Sequence, residues 1–189
     1  RDCLLSRGLG DVYKRQFDED GRIVSMAVDQ LEVATPNYSG ASMPQFSGFP
    51  GQGGYSLWDD SAGKVVGYTE DSEDNYMQEI AAWTSKRARG EDYQLTSGSW
   101  REQMDAYQNM MVGMTVDEVE TWFGRYFSAE NGRPLTENSS SDADRARWEA
   151  FSDDDRARAA DIVSGATMSL RDAHGDILTA IRRAWEDAQ

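Results

Sequence analysis

The amino-acid sequence predicts an α+β fold, in which a small twisted antiparallel sheet packs against several helices. Two patterns support this class: short alternating segments with turn signals come first, and apolar residues at helical spacing follow from residue 71. The chain has 189 residues with six Trp, eight Tyr and six Phe, which is enough to bury a substantial core. We therefore expect residues 17–189 to form a single domain, with a helical insertion at 71–160.

The first segments are predicted to be β-strands. Residues 18–21 (DEDG) are a turn signal, and the apolar residues of 22–33 alternate as they do in a strand. A second hairpin is expected to pair residues 55–58 with 64–69 across a turn at 61–64. These strands are expected to form the sheet.

Capping residues mark the starts of the next helices. Ser72 is predicted to cap a helix that runs to about Arg89. Ser99 and Thr115 each begin a capping box, in which an acidic side chain three residues later returns the hydrogen bond to the cap. The helix after Ser99 is expected to end at Gly113.

The last third of the chain is predicted to be mainly helical. A turn is expected at 131–134, where the sequence is NGRP, and one or two helices are expected within 142–160. Apolar residues recur along one stripe of 169–187, which predicts a long amphipathic final helix.

The composition excludes several classes of function. The formal net charge of −15 at pH 7 argues against nucleic acid or an anionic membrane surface as a direct partner, because like charges repel. No apolar run approaches the roughly 20 residues that span a bilayer. The sequence also contains no Walker loop, Rossmann glycine fingerprint or Ser-His-Asp order, so nucleotide and serine-hydrolase chemistry have no residues to carry them.

Residues 1–16 are expected to be foreign to the protein. The run DVYKRQ at 11–16 is what the transposon end used in tagmentation sequencing libraries encodes, and DCLL at 2–5 is compatible with its reverse strand. We interpret residues 1–16 as a sequencing-adapter scar and expect the native N-terminus to be missing. Excluding the scar removes Cys3, the single cysteine, and with it disulfides, thiolate nucleophiles and Cys-ligated metals.

The segment 161–169, with the sequence DIVSGATMS, is the strongest candidate for chemistry. Gly165 and Ala166 are small enough for a phosphate to approach the backbone, and Thr167 and Ser169 add hydroxyl groups. Because the segment directly precedes the expected final helix, it should also offer the unpaired N–H groups of a helix N-terminus. The residues alone allow two interpretations: a phosphate cradle or an ordinary helix cap.

Residues 161–167 resemble the Asp-x-x-Ser/Thr-Gly-Ala-Thr motif of the FMN-binding domain family, which includes subunits of the sodium-pumping quinone reductase and Rnf-type complexes. Every motif position matches. In that family a separate, exported flavin transferase joins the threonine to FMN through a phosphoester, so the resemblance implies covalent FMN at Thr167. A weaker match is PGQG at 50–53, which is similar to the family's Pro-Gly-x-Gly loop.

The resemblance is confined to the strands, the 48–55 loop and residues 161–185. No Glu stands before Pro50, and the helical stretch 71–160 is longer than the family pattern, which argues against assignment to a particular pump subunit. The chain is more similar to a stand-alone bacterial member. The residues that the resemblance implies as cofactor-binding are Thr167, Ser164, Gly165, Ala166, Asp161, Met168, Ser169, Gly51 and Gly53.

The resemblance implies a covalently flavinylated, extracytoplasmic electron-transfer domain, with FMN held between the Gly-rich loop and the final helix. Its implied partners are a flavin transferase for maturation and a membrane electron donor or redox complex, and a membrane anchor is compatible with the missing N-terminus. Phe46, Tyr55 and Trp58 are the aromatic residues that we expect beside the flavin ring. Two alternatives stay open: an oxidoreductase module with its own small acceptor, and a flavin-free or non-covalent ligand-binding surface or interaction protein.

Four other features have ordinary structural interpretations. The sequence SGASM at 39–43 echoes the motif but has Pro36 where the motif needs Asp, so we expect a loop. His174, the single histidine, is expected on the surface or partly buried in the final helix. The acidic run 153–155 is expected to complement the dipole of a helix start, and the methionines within 104–114 are expected to pack in the core.

Overall fold

The computed structural model describes residues 16–36, 43–90, 94–95, 97–172 and 175–189. Three expectations concern residues outside these ranges. They are the adapter scar apart from its last residue, the 39–43 echo apart from Met43, and the position of His174.

Seven helices and six short strands form the described part of the chain. The helices are α1 (Glu73–Ala82), α2 (Lys86–Arg89), α3 (Trp100–Met111), α4 (Val116–Tyr126), α5 (Asp142–Glu149), α6 (Asp153–Gly165) and α7 (Ile177–Asp187). The strands are β1 (Ser56–Asp59), β2 (Lys64–Tyr68), β3 (Gln94–Leu95), β4 (Gly98–Ser99), β5 (Arg171–Asp172) and β6 (Gly175–Asp176). Strand β1 pairs with β2 and β5 with β6, both antiparallel, so the α+β class is confirmed. None of the described helices combines the length and apolar character needed to cross a membrane.

The chain divides into two compact units. We call the first the motif unit, which contains Arg1–Val28 and Thr96–Gln189 and includes the 161–169 segment. The second, the hairpin unit, contains Asp29–Leu95. The expectation of one domain over 17–189 stays a prediction.

Helix α3 supplies much of the core of the motif unit. The predicted capping box forms at its start, where Ser99 Oγ accepts from the Glu102 N–H at 3.2 Å and Glu102 Oε2 accepts from the Ser99 N–H at 2.9 Å. This fixes the first turn, and a stripe of large side chains then faces inward. Two of the four methionines expected in the core, Met104 and Met111, are buried, whereas Met110 and Met114 are half-buried. The buried residues of α3 are Trp100, Gln103, Met104, Tyr107 and Met111.

Asp155 joins helix α6 to helix α4. Its carboxylate accepts two hydrogen bonds from the Arg125 guanidinium, at 2.9 and 2.7 Å, and a third from the Tyr126 hydroxyl at 2.9 Å. It also completes a capping box with Ser152 at the start of α6. The acidic run 153–155 therefore lies at a helix start, as predicted.

The hairpin unit is built on the second predicted hairpin, which is confirmed with a bulge between Leu57 and Trp58. Residues 43–55, which lead into β1, contribute to an aromatic cluster centred on Phe46. Most of these rings meet edge to face, the arrangement that aromatic quadrupoles favour. The ring of Phe46 lies 4.9 to 6.4 Å from those of Phe49, Tyr55, Tyr76 and Trp83.

The prediction of a β-strand over 22–33 is wrong. Only isolated bridges form at its start, and no described strand runs beside the remainder. Val24 and Leu31 are 45% and 51% exposed, because alternation of apolar residues does not by itself supply a partner strand. The turn at 18–21 is confirmed, and Gly21 adopts the positive φ of +75° that the turn needs.

The single helix predicted from Ser72 to Arg89 is wrong, because the chain forms two helices there. Helix α1 ends before Trp83, and Ser85 then caps α2 by accepting from the Ala88 N–H at 3.2 Å. A cap residue inside a helical pattern offers the backbone an alternative partner, and here the chain uses it.

The predicted turn at 131–134 lies against the chain that follows the motif. The Leu170 N–H donates to the Gly132 carbonyl at 3.0 Å, and Gly132 has a φ of +65°. A Cβ atom at this position would lie 2.1 Å from the Arg171 carbonyl oxygen. Only glycine fits this approach of two backbone segments.

Substitution of Gly132 tests this approach against a matched glycine. Gly132→Ala and Gly113→Ala both place Ala at positive φ, +65° and +87°, but a Cβ at Gly113 meets open space. Each change costs roughly 1–2 kcal/mol from the left-handed backbone. We expect Gly132→Ala to lower the free energy of unfolding clearly more than Gly113→Ala does, because its Cβ also clashes with the Arg171 backbone. Urea unfolding followed by tryptophan fluorescence measures both losses, and equal losses would contradict the packing described.

Acid titration tests the link between α4 and α6. The Arg125 guanidinium, with Ser152 and Tyr126, holds the pKa of Asp155 well below its ordinary value. A carboxyl whose pKa falls on folding stabilises the folded state above its unfolded pKa, about 4, and this is lost as the pH falls through the folded pKa. Asp155→Asn should therefore destabilise the protein at neutral pH, with a difference from wild type that shrinks in acid. Urea unfolding across this pH range measures it, Asp154→Asn is the control, and a pH-independent difference would refute the link.

Candidate functional site

The 161–169 segment ends helix α6 and leads out of it. Residues 161–165 form the last turn of the helix. Ala166 leaves it in an extended conformation, while its N–H still bonds to the Ile162 carbonyl at 2.9 Å. Thr167 therefore lies just beyond a helix C-terminus.

The prediction that 169–187 is one helix, with Thr167 before its N-terminus, is wrong. Helix α7 begins only at Ile177, and β5 and β6 form a short hairpin before it. The spacing of Leu170 and Ile177 fits a helix, yet the Leu170 N–H bonds to the carbonyl of Gly132. The expected phosphate cradle therefore loses its helix N-terminus.

Helix α3 fixes the backbone at Thr167 through the side chain of Gln103. This side chain is buried, and its Oε1 accepts from the N–H of Thr167 at 2.8 Å and of Met168 at 3.1 Å. The Thr167 hydroxyl lies 3.3 Å from the same oxygen. One turn along α3, the Tyr107 hydroxyl donates to the Met168 carbonyl at 2.8 Å, and burial raises the pKa of Tyr107 so that it stays a donor.

The small residues of the motif pack against α3. A Cβ at Gly165 would lie 2.9 Å from Met110 Cε and 3.1 Å from Ala106 Cβ, and Ala166 is 2% exposed. Protein atoms therefore fill the space beside both residues. Their smallness lets α6 approach α3 closely and so positions Thr167.

The remaining motif residues differ in accessibility. Asp161 and Ser164 are exposed, and the Ser164 hydroxyl donates to the Asp161 carbonyl at 2.7 Å. Met168 is buried in the core. Ser169 Oγ accepts from the Arg171 N–H at 3.2 Å, which stabilises the turn before β5.

A pocket of about 260 Å³ lies beside Thr167. Hydroxyl and amide side chains from the 128–140 loop form most of its wall, together with Asp144 from α5 and Val163 from α6. No aromatic side chain is among the lining residues. The pocket thus has a wall of mixed polar and apolar surface, and the last motif residue is part of it.

Two charged residues line this pocket. Arg133 is exposed, and its guanidinium forms no ion pair within the described residues. Asp144 is 3% exposed, and its Oδ1 lies 3.2 Å from Arg147 Nη1. Its Oδ2 is buried without any hydrogen-bond partner, which is rare for a carboxylate. Across the ranges that the structure describes, no group of three or more His, Cys, Asp or Glu could hold a metal ion.

The other predicted cofactor residues lie in the hairpin unit. Gly51 and Gly53 have φ of +71° and +86°, and a Cβ at either would meet open space. Glycine is therefore favoured at both positions by the positive φ of the backbone and not by a lack of space for a side chain. The Gly53 N–H donates to Asp71 Oδ2 at 2.8 Å. Trp58 is 52% exposed, whereas Phe46 belongs to the aromatic cluster.

Sequence reasoning missed the residues that surround Thr167. Gln103 carried a detectable signal, since it is a polar residue on the apolar stripe that contains Trp100 and Tyr107. Asp144 carried none, because acidic residues in the first turn of a helix are common on the surface.

The chain is similar to the chlorophenol reductase of Desulfitobacterium hafniense. It is 30% identical to that protein over 178 residues, which cover 90% of this chain and 48% of the relative. The chain therefore spans about half the length of this relative. No family model matches the chain, and no solved structure matches it. The similarity links the chain to a protein whose name describes a redox function.

Substitution of Gln103 tests how the motif is held. Gln103→Met keeps a similar volume but leaves the N–H groups of Thr167 and Met168 without their acceptor, at roughly 1–3 kcal/mol for each group that stays unpaired. We expect a large loss of unfolding free energy and faster hydrogen exchange at these two amides. Gln103→Glu keeps an acceptor oxygen and should leave the two amides protected. Unchanged exchange in Gln103→Met would contradict the assigned role.

Proposed function

We propose that the chain is a covalently flavinylated electron-transfer domain that works outside the cytoplasm, with FMN attached at Thr167. The observation that carries the proposal is that Thr167, the last residue of the DIVSGAT motif, lines a pocket. The buried carboxamide of Gln103 holds the backbone there. A relative whose name describes a reductase supports a redox role.

The residues around Thr167 fit a phosphoester. Thr167 lines the pocket, and its hydroxyl lies 3.3 Å from Gln103 Oε1. Arg133 and Asn131, which line the same pocket, offer positive charge and N–H donors for phosphate oxygens. The pocket, at about 260 Å³, is slightly below the roughly 300 Å³ at which small-molecule sites begin, so it fits part of an FMN rather than all of it. Bound FMN supplies reversible electron transfer, and the protein contributes position and electrostatics.

The exposed motif residues fit recognition by a flavin transferase. The side chains of Asp161 and Ser164 are accessible from outside, whereas Ala166 is buried. A transferase can therefore contact the outer face of the last turn of α6. Gly165 and Ala166 contribute by holding that turn against α3, which sets the position of the acceptor hydroxyl.

Attachment through a covalent bond suits a protein outside the cytoplasm, because a dissociated flavin would be lost there. The proposed partners are an exported flavin transferase, which matures the protein, and a membrane electron donor or redox complex, which reduces it. In this role the chain carries electrons and needs no substrate site of its own.

A second candidate is an oxidoreductase module that binds a small ligand without a covalent bond. The pocket and the name of the relative both favour it. Two lining residues, Pro134 and Val163, are apolar and no aromatic ring lines the pocket, so the pocket is a poor match for a chlorinated phenol. A third possibility is a flavin-free ligand-binding or interaction protein. The experiment described next distinguishes all three.

Mass spectrometry of the exported chain, co-expressed with a flavin transferase, tests the proposal. We expect a mass gain of one FMN less one water on Thr167, complete loss of the gain in Thr167→Ala, and retention in Thr136→Ala. Thr136 is the matched control because this threonine lines the same pocket but lies outside the motif.

The outcomes separate the candidates. An unmodified Thr167 in chains that purify with FMN favours non-covalent binding, and an unmodified Thr167 without FMN favours the flavin-free role. A gain that persists in Thr167→Ala would place the attachment at another residue and overturn the assignment.

A further inference from the structure

The hairpin unit exposes its apolar side chains instead of burying them. Among the described residues, every buried apolar side chain belongs to the motif unit and none to the hairpin unit. The hairpin unit contributes most of the large apolar side chains that are exposed: Leu31, Phe49, Tyr55, Trp58, Val65, Val66, Tyr68, Met77 and Ile80. Exposed apolar surface of this extent usually marks a site of interaction with another molecule.

Strand β2 brings part of this apolar surface to the edge of a sheet. In the part of the chain that the structure describes, β1 and β2 form a sheet of two strands, and no third strand joins them. Val65, Val66 and Tyr68 of β2 are 41%, 58% and 70% exposed, and the bulge leaves Val66 opposite no residue of β1. A two-stranded sheet is only marginally stable in water, and an open edge strand is a template for pairing with another chain.

Opposite charges lie at the two ends of β2. Lys64 begins the strand, is exposed, and forms no ion pair within the described residues. Asp59, its partner on β1, instead uses its carboxylate to accept from the N–H groups of Ser61 and Ala62 in the turn. Glu70, just beyond the other end of β2, is exposed as well. Two copies of this strand laid side by side in opposite directions would bring each Lys64 beside the Glu70 of the other copy.

We infer that β2 is the contact surface of a homodimer, in which two copies of the chain place this strand antiparallel about a two-fold axis at Gly67. In this register Lys64 meets Glu70 and Val66 meets Tyr68, once on each side of the axis. Pairs of opposite charge, and of an aromatic with a β-branched residue, are favourable neighbours across strands. One strand supplies both members of each pair, so the surface is complementary to itself, as a two-fold interface requires. The dimer does not depend on flavin attachment.

The size and charge of this surface indicate a reversible dimer. One strand from each copy is a small interface, of the class below roughly 1,200 Å² that forms transient complexes. Each copy also carries a formal net charge of −15, so the two copies repel each other. Salt at physiological concentration screens charges that are more than about 8 Å apart, but it screens contacting pairs much less. The dimer should therefore form at physiological salt and dissociate on dilution.

Sedimentation velocity of the whole chain at physiological salt, from roughly 1 to 200 µM, measures this self-association. We expect the dimer fraction of wild type to rise with concentration. Lys64→Glu and Glu70→Lys should each raise the dissociation constant several-fold, because each change places like charges side by side across the interface. Arg183→Glu, on the exposed side of α7, is the matched control: it changes the net charge as Lys64→Glu does and should have little effect.

A mixture of the two single variants tests the register. In a mixed dimer both contacts again join opposite charges, so the association should return towards wild-type strength, as it should in the double variant. The two positions lie about 20 Å apart along one extended strand, so a contact within a single chain cannot restore it. A wild-type chain that stays monomeric throughout would overturn the inference, as would a mixture that associates no better than either variant alone.

Discussion

The carboxamide of Gln103 is the group on which the geometry around Thr167 depends. Where α6 ends, the N–H groups of Thr167 and Met168 point into the protein, and burial without an acceptor would be costly. One oxygen on α3 satisfies both. Tyr107 on the same helix donates to the carbonyl of Met168. Helix α3 therefore holds the backbone at both the N–H and the carbonyl of Met168. The close packing of Gly165 on α3 follows from the same contact.

The pocket beside Thr167 is lined by residues from separate segments of the chain. The 128–140 loop contributes hydroxyl, amide and guanidinium side chains to its wall, the start of α5 contributes a carboxylate, and Val163 and Thr167 come from the end of α6 and the chain just after it. The carboxylate of Asp144 is buried with half of its hydrogen-bonding capacity unused. A buried acceptor without a partner lowers the free energy of unfolding and needs an explanation, such as local strain or an ordered water molecule.

The sequence predicted what short-range interactions decide. The capping boxes at Ser99 and Thr115 and the second hairpin depend on neighbours within a few residues, and the structure confirms all three, with the hairpin turn at 60–63. The start of the last helix depends instead on Leu170, whose N–H bonds to the carbonyl of Gly132, a residue far away in the sequence. The apolar spacing therefore predicted a start that was too early. The pocket could not be foreseen for the same reason, because its walls come from separate segments. The DIVSGAT motif pointed to Thr167, but the residues that surround Thr167 come from distant parts of the sequence.

The separation between Gln103 and Thr167 has a consequence for the order of events after synthesis. The two residues are 64 positions apart, so their contact requires the closure of a long loop, which costs entropy. The threonine hydroxyl reaches its final surroundings only when α3 and α6 have docked. An enzyme that required this arrangement would act on the folded molecule and not on newly made or misfolded chains. Cofactor loading at this position would then serve as a check on folding.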